Sequence, residues 1–369
     1  MIRAIKTNLV AETTHEFPFG DRVILQGGNG TGKTMLLNAL RLTLVGNAQD
    51  LGGKDQFAVV RAGSDLIPLG DLHRSPMAEV TFATGEVARW GVVAGRRPSH
   101  TPPPMPAVYP LDEVMGVIRG GSDSRLAFFL RFFCQQGLEV DKWKRIQGRI
   151  RTRKKDLKAS QSRLDALAEV GIRHMDVAQR VRTLRLEHEE IQDEIEALEE
   201  QAKNIRDVLY VVLLRESSRI VAEVNEYLDV SMRTMEFAMD VAGTKIEMGL
   251  RRSRGDMMPL RYASGAQWVM LATAICGPLT KFYREKGLLC VTVIPDRSYD
   301  HRMSRALLLV ADRLDGVVIF PRAVALPGRR NNRWLLIDLN EMERVEEEIV
   351  VHEEEFSELS SQYEVQNVS

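Results

Sequence analysis

The sequence predicts an α/β fold interrupted by an antiparallel helical hairpin, and three observations predict it. Strand-like apolar runs recur towards both ends of the 369-residue chain. Between them the middle third carries a sustained heptad pattern. Near the N-terminus a glycine-rich stretch, Gly27-Gly28-Asn29-Gly30-Thr31-Gly32-Lys33-Thr34, separates a strand from a helix.

Taken in order, the first 26 residues read as two or three short strands, the last being Arg22-Val23-Ile24-Leu25-Gln26. After the glycines comes a helix, MLLNALRLTLVG, ending at Gly46. Strand-like segments follow over 56–93, including a hairpin, EVTFATGEVARWGVV, that turns at Thr84-Gly85. Residues 101–106 form a proline-rich loop and 110–136 read as helical.

From Val177 apolar side chains recur at steps of four and three, through Val181, Leu184, Ile191, Ile195, Leu198, Ala202, Ile205, Leu209 and Val212, with a lapse at His188. Trp143, Ile146, Ile150, Leu157, Leu164 and Leu167 keep the same phase, with lapses at Arg153 and Ser160. Gly171 can turn the chain between the two runs, which gives an antiparallel hairpin with its tip there. Charge supports the pairing independently. Residues 142–158 hold nine Lys or Arg and one Asp; residues 185–201, set opposite by the hairpin, hold eight Asp or Glu and one Arg. At about 1.5 Å per residue such an arm is roughly 45 Å long.

The final third alternates again: LLCVTVI (288–294), a helix over 301–314, VVIF (317–320) and WLLIDL (334–339). An acidic, heptad-like stretch over 341–369 reads as an amphipathic C-terminal helix. Four segments result: 1–138, a helical arm over 139–213, 214–340 and 341–369.

Composition narrows the class. Fifty Lys and Arg against 51 Asp and Glu leave a net charge of −1, so any pull on a polyanion must be local. Cys134, Cys276 and Cys290 are too scattered for a disulfide scaffold or a CxxC site, and the seven histidines show no zinc spacing. No apolar run reaches the roughly 20 residues of a membrane span, and no signal-peptide core is seen. A soluble, reduced, cytoplasmic protein with no membrane partner is expected.

GGNGTGKT fits the phosphate-loop pattern GxxxxGK[ST] without mismatch. Glycines let backbone N–H groups turn inward around a phosphate, and the helix N-terminus adds partial positive charge. Lys33 is placed to reach the β- and γ-phosphates, and the Thr34 hydroxyl to ligate Mg²⁺. Gly27, Gly28, Asn29, Gly30, Thr31, Gly32, Lys33 and Thr34 are therefore the expected nucleotide site. Downstream, Tyr262-Ala263-Ser264-Gly265-Ala266-Gln267 opens a small-residue helix, and Ser264 there is also an ordinary helix cap.

Together these features resemble the ABC-type ATPase heads of the SMC, SbcC, RecN and RecF group of DNA-maintenance proteins. The resemblance rests on GxNGxGKT with Asn29, on SGAQ as a signature motif, and on the helical insertion between them; it covers roughly residues 1–135 and 215–340. It implies a P-loop NTPase of ABC-ATPase type, with a mixed central sheet and an antiparallel N-terminal lobe, split by an antiparallel coiled-coil hairpin. It implies ATP and Mg²⁺ as cofactors, and a head-to-head homodimer with two ATP molecules sandwiched between phosphate loop and signature. Ser264, Gly265 and Gln267 then face the partner's nucleotide. Gln135 or Gln136 reads either as the family's Q-loop glutamine or as a solvated helix-end residue. A nuclease or recombination protein is an implied partner. A transporter-type ABC subunit is disfavoured by the hairpin.

Two positions depart from the family. Its acidic strand ends in Asp-Glu, whereas VTVIPDRSYD offers Asp296 followed by Arg297. Asp296 is then either the metal-side carboxylate, with the base missing, or a shortened base; Asp300 is a candidate for the following loop aspartate. After VVIF the family's switch histidine is replaced by Pro321-Arg322. ATP binding is expected and hydrolysis is expected to be slow, and an ATP-dependent switch or scaffold that recruits a protein is the alternative. Non-sequence-specific DNA contacts are expected from Arg251, Arg252 and Arg254, from Arg329, Arg330 and Arg333, and from Arg96 and Arg97, all read as loop residues.

Overall fold

A computed structural model describes residues 1–9, 14–28, 31–46, 60–61, 65–66, 77–91, 99–170, 175–228, 235–252, 255–296, 299–323 and 333–340. In chain order it contains β1 (Ile2–Thr7), β2 (His15–Pro18), β3 (Arg22–Gln26), α1 (Lys33–Val45), β4 (Val60–Arg61), β5 (Asp65–Leu66), β6 (Met77–Phe82), β7 (Val87–Gly91), β8 (Ser99–Thr101) and β9 (Ala107–Val108). α2 (Pro110–Arg119), α3 (Ser122–Phe132), α4 (Gly137–Val170) and α5 (Met175–Leu228) follow. Then come β10 (Met235–Ala242), β11 (Lys245–Arg252), β12 (Met257–Pro259), α6 (Gly265–Glu285), β13 (Leu289–Val293), α7 (His301–Ala311), β14 (Val317–Arg322) and β15 (Leu335–Asp338). The chain divides into two units, one of Met1–Met115, Glu226–Thr234 and Ala263–Ser369, the other of Gly116–Asn225 and Met235–Tyr262.

In the first unit, five described strands form a parallel sheet in the order β15-β3-β14-β13-β9, and five form an antiparallel sheet in the order β2-β1-β6-β7-β8. Leu36, Leu40 and Leu44 recur every fourth residue along α1, so they share one face. They pack in one buried cluster with Ile5, Val80 and Phe82 of the antiparallel sheet and Val23, Leu25, Ile319 and Ile337 of the parallel one. β14 is buried at all six positions, as a parallel strand covered on both faces must be. Gly46 ends α1 in the left-handed region at φ 75°, its N–H donating to Leu42 O at 2.8 Å.

Pro321 sits in this central strand without costing a ladder bond. Val318 donates to Asp21 O beside β3, whereas Ile319 accepts from Ile294 on the β13 side. Alternation therefore directs position 321 towards β13, and the β13 ladder pairs no residue of β14 beyond Ile319.

The second unit holds α3, α4, α5 and the antiparallel meander β10-β11-β12. The predicted helix over 110–136 is two helices, α2 and α3, separated at Gly120 and Gly121. Trp143, Ile146 and Ile150 of α4 and Ile195, Leu198 and Ala202 of α5 are buried. Arg153 reaches Glu194 at 2.8 Å, Lys154 reaches Glu199 at 2.7 Å and Arg149 reaches Glu194 at 3.3 Å, so the basic and acidic stretches meet. All these groups are substantially exposed, so solvent screening leaves each pair little effect on stability. The two other seam lapses differ: Ser160 Oγ and His188 Nδ1 are buried with no hydrogen-bond partner among the described residues. Asn225 ties α5 to β10, accepting from Phe237 N at 2.7 Å and donating to Phe237 O at 3.1 Å.

The expected hairpin tip at Gly171 and the C-terminal helix over 341–369 lie outside the described residues. None of the described helices is long and apolar enough to cross a membrane.

Candidate functional site

At the carboxyl end of the parallel sheet, where such sheets bind ligands, β3 runs into Gly27 and Gly28. Asn29 and Gly30 lie outside the described residues. A side chain at Gly27 would place its Cβ 2.2 Å from Thr31 Oγ1, so the loop closes this tightly only around glycine. Gly32 at φ 86° turns the chain into α1 and supplies no side-chain cap. The first-turn N–H groups of α1 thus have no side-chain acceptor from the N-cap, the arrangement that suits an anion.

Lys33 is 6% exposed. Its Nζ donates to Gly27 O at 2.5 Å and Gly28 O at 2.7 Å, and lies 3.6 Å from Asp296 Oδ2. A buried ammonium is tolerable only with such partners. The Thr34 side chain is exposed on the first turn of α1. Asp296 leaves β13 after Ile294 and Pro295, with 42% of its side chain exposed. Arg297 lies outside the described residues. Asp300 caps α7, its Oδ1 accepting from Met303 N at 2.7 Å.

The sequence reading missed Gln26, Asp338 and Asn340. Register sets Asp338 beside Gln26, and Gln26 Nε2 donates to Asp338 Oδ2 at 2.7 Å. Asp338 Oδ1 accepts from Asn340 Nδ2 at 2.9 Å, and Asn340 Oδ1 accepts from Gly28 N at 2.9 Å. The end of β15 therefore braces the start of the glycine loop. A strand ending Ile-Asp-Leu-Asn, polar at alternate positions, was the available signal.

Ser264 and Gln267 form a reciprocal cap on α6: Ser264 Oγ accepts from Gln267 N at 3.2 Å, and Gln267 Oε1 accepts from Ser264 N at 2.8 Å. Ser264 and Gly265 are exposed at that helix start. Gln135 and Gln136 belong to the second unit, between α3 and α4. Gln135 is exposed at φ 57°, and Gln136 donates its N–H to Leu130 O at 2.8 Å.

The basic clusters require a correction. Arg251 and Arg252 are not loop residues; they end β11, paired in register with Glu236 and Met235, and both are exposed. The meander continues to β12, and strand pairing rather than a break accommodates them. Arg333 is exposed but pairs with Asp312 at 3.1 Å. Arg96, Arg97, Arg254, Arg329 and Arg330 lie outside the described residues.

Burial pushes the Cys290 thiol up to about 12 and raises Cys276 well above its ordinary range, so neither is a nucleophile. Among the described residues no group of three or more His, Cys, Asp or Glu is placed to hold a metal by itself.

No protein-family model matches the chain, and no curated protein matches it. Solved structures similar to it include the Smc head domain with an extended coiled coil bound to the C-terminal domain of ScpA, from Pyrococcus furiosus. That likeness has 13% identity and a TM-score of 0.42 over 94% of this chain and 99% of that one. Another is the recombination mediator protein RecF-ATPrS in the RecFOR pathway, at 12% identity and TM-score 0.45 over 92% and 96% of the two chains. A third is the Smc head domain with a coiled coil and joint from Pyrococcus yayanosii, at 12% and 0.41 over 87% and 92%. At these identities and TM-scores no functional weight rests on the likeness.

Proposed function

We propose that this chain is an ATP-binding head of ABC type with a short antiparallel coiled-coil arm, which pairs head to head on ATP and acts on DNA in repair, recombination or replication. The observation that carries the nucleotide reading is Lys33. Its ammonium is held between the Gly27 and Gly28 carbonyls and beside Asp296, at the uncapped start of α1.

In this reading the Lys33 ammonium exchanges its carbonyl partners for β- and γ-phosphate oxygens, while the first-turn amides of α1 hold the adjacent phosphate. Thr34 and Asp296 would hold Mg²⁺, which would supply neutralisation of phosphate charge. Ser264 and Gly265 meet the nucleotide of a partner head. Gln267 keeps that helix start rigid through its cap with Ser264. Arg251 and Arg252 offer exposed charge to phosphates of DNA without base reading.

Hydrolysis is slow in this account. A base is needed beside Asp296, and Asp300, the next carboxylate along the chain, is committed to the cap of α7. The same observation favours the second reading, an ATP-dependent scaffold that recruits a protein. Sedimentation of the full chain with ATP and Mg²⁺, with and without duplex and single-stranded DNA at low salt, separates the two. ATP-driven dimers that bind DNA support the first reading; dimers that bind no DNA form sink it and leave the scaffold.

A further inference from the structure

Two ion pairs fix the register of α4 against α5. Arg149 reaches Glu194 at 3.3 Å and Lys154 reaches Glu199 at 2.7 Å. Arg149 and Glu194 each precede a core position of the heptad seam, and Lys154 and Glu199 each follow one. When like flanking positions meet in this way across an antiparallel seam, the core positions between them face one to one. Ile150 therefore lies opposite Leu198 and Ile146 opposite Ala202, and all four are buried. The same count, carried towards the tip, sets Ser160 opposite His188.

Ser160 is 6% exposed, and neither its Oγ nor the buried Nδ1 of His188 has a hydrogen-bond partner among the described residues. The layers on either side are apolar in both helices, Leu157 with Ile191 and Leu164 with Leu184. A buried polar atom left alone among such neighbours is costly. Facing each other, these two are complementary: the hydroxyl donates and an unprotonated ring nitrogen accepts, directly or through one shared water.

The apolar pattern alone does not select this register. A slip of one heptad keeps core position against core position, and in a hairpin it moves the chain reversal only half a heptad. The basic stretch 142–158 and the acidic stretch 185–201 are each longer than two heptads, so they still overlap after such a slip. Exposed ion pairs between them add little selectivity. The polar layer is what a slip destroys. In one direction Ser160 meets Val181 and His188 meets Arg153; in the other Ser160 meets Ile195 and His188 meets Leu167. Each polar group is then stranded.

We propose that Ser160 and His188 form a register lock in the arm, a polar layer that makes the seam less stable than an apolar one and confines it to a single alignment of α4 on α5. Buried polar residues at single core positions set coiled-coil register at a cost in stability. The lock acts through α4 and α5 alone and is independent of the nucleotide reading.

Cysteine pairs placed in the full-length protein read the alignment. Arg149→Cys with Glu194→Cys reports the native register; Arg149→Cys with Glu187→Cys, or with Gln201→Cys, reports a slip of one heptad in either direction. Oxidative cross-linking, mapped by mass spectrometry of the joined peptides, should give only the first pair when the seam is otherwise unchanged. With Ser160→Leu and His188→Leu together, the slipped pairs should rise at least about tenfold, because no stranded polar group opposes them, while the urea midpoint holds or rises. The exchanged layer, Ser160→His with His188→Ser, should suppress the slipped pairs again. Slipped pairs that stay absent in the double leucine variant, that form as readily in the unchanged seam, or that persist in the exchanged layer overturn the inference, as does an unchanged seam that fails to join positions 149 and 194. If the leucine variant loses its helical circular dichroism, Ser160→Ala with His188→Ala takes its place and is read by the same outcomes.

Discussion

Lys33 Nζ stands 3.6 Å from Asp296 Oδ2, joining the start of α1 to the segment after β13 although 263 positions of sequence separate them. In a nucleotide site this pair divides the work, the ammonium taking phosphate and the carboxylate taking the metal side. Replacing Asp296 with Asn should leave ATP affinity in EDTA within about threefold of wild type while removing most of the gain that Mg²⁺ provides. Titrations with and without Mg²⁺ check this. Turnover should be slow in the wild type; a brisk rate abolished by Asp296→Asn would instead show a complete catalytic apparatus.

Asn340 is a positioning residue, since it touches Gly28 N rather than the Lys33 ammonium. Asn340→Ala should cost about 1 kcal/mol, the usual net worth of one hydrogen bond. Asp338→Ala should cost more, because it strands both the Gln26 and the Asn340 amides. Denaturant melts of the singles and the double variant should show non-additivity, since the two share one network.

Ser264 has two effects that separate by measurement. Loss of the α6 cap in Ser264→Ala should lower stability by about 1 kcal/mol. Replacement by Arg should in addition block ATP-dependent pairing of heads, seen as a monomer by light scattering with saturating ATP. A dimer at wild-type level in Ser264→Arg would remove this helix start from the interface.

The seam of α4 and α5 contains a removable fault. His188 Nδ1 is buried without a partner among the described residues, so His188→Leu should raise stability by about 1 kcal/mol as a buried polar group is replaced by an apolar one. An urea melt followed by helical circular dichroism reads it. A lower midpoint would show that the imidazole is doing something the seam needs.

Alkaline stability follows from the thiols. Burial raises the Cys290 thiol from 9.0 to about 12. The unfolded thiol ionises first, so its contribution is fully present below pH 9 and declines as pH rises towards 12. Native protein at pH 8 should alkylate slowly at Cys276 and Cys290, and quickly once unfolded; mass spectrometry of labelled peptides measures both.

What the sequence made legible was local. The α1 stop at Gly46, the hairpin turn with Gly85 at φ 85° and the heptad positions of α4 and α5 depend on neighbours a few residues away. What escaped depends on sheet order. Nothing near Asp338 says that β15 lies beside β3, yet that pairing brings Asp338 to Gln26 and Asn340 to Gly28. Arg251 and Arg252 were misread because adjacent charges suggest a loop, whereas they close the central strand of a three-strand meander and both stay exposed at its end. Asp300 has a local use that its acidic character alone did not reveal, as the cap of α7.

Equilibrium binding of ATP with Mg²⁺ to the full chain, wild type against Lys33→Ala, tests the central claim most directly. The account predicts saturable binding by the wild type and a loss of at least about 30-fold in the variant, the scale of one buried charged contact, with circular dichroism unchanged. Equal binding by the two proteins, or none by a folded wild type, contradicts it.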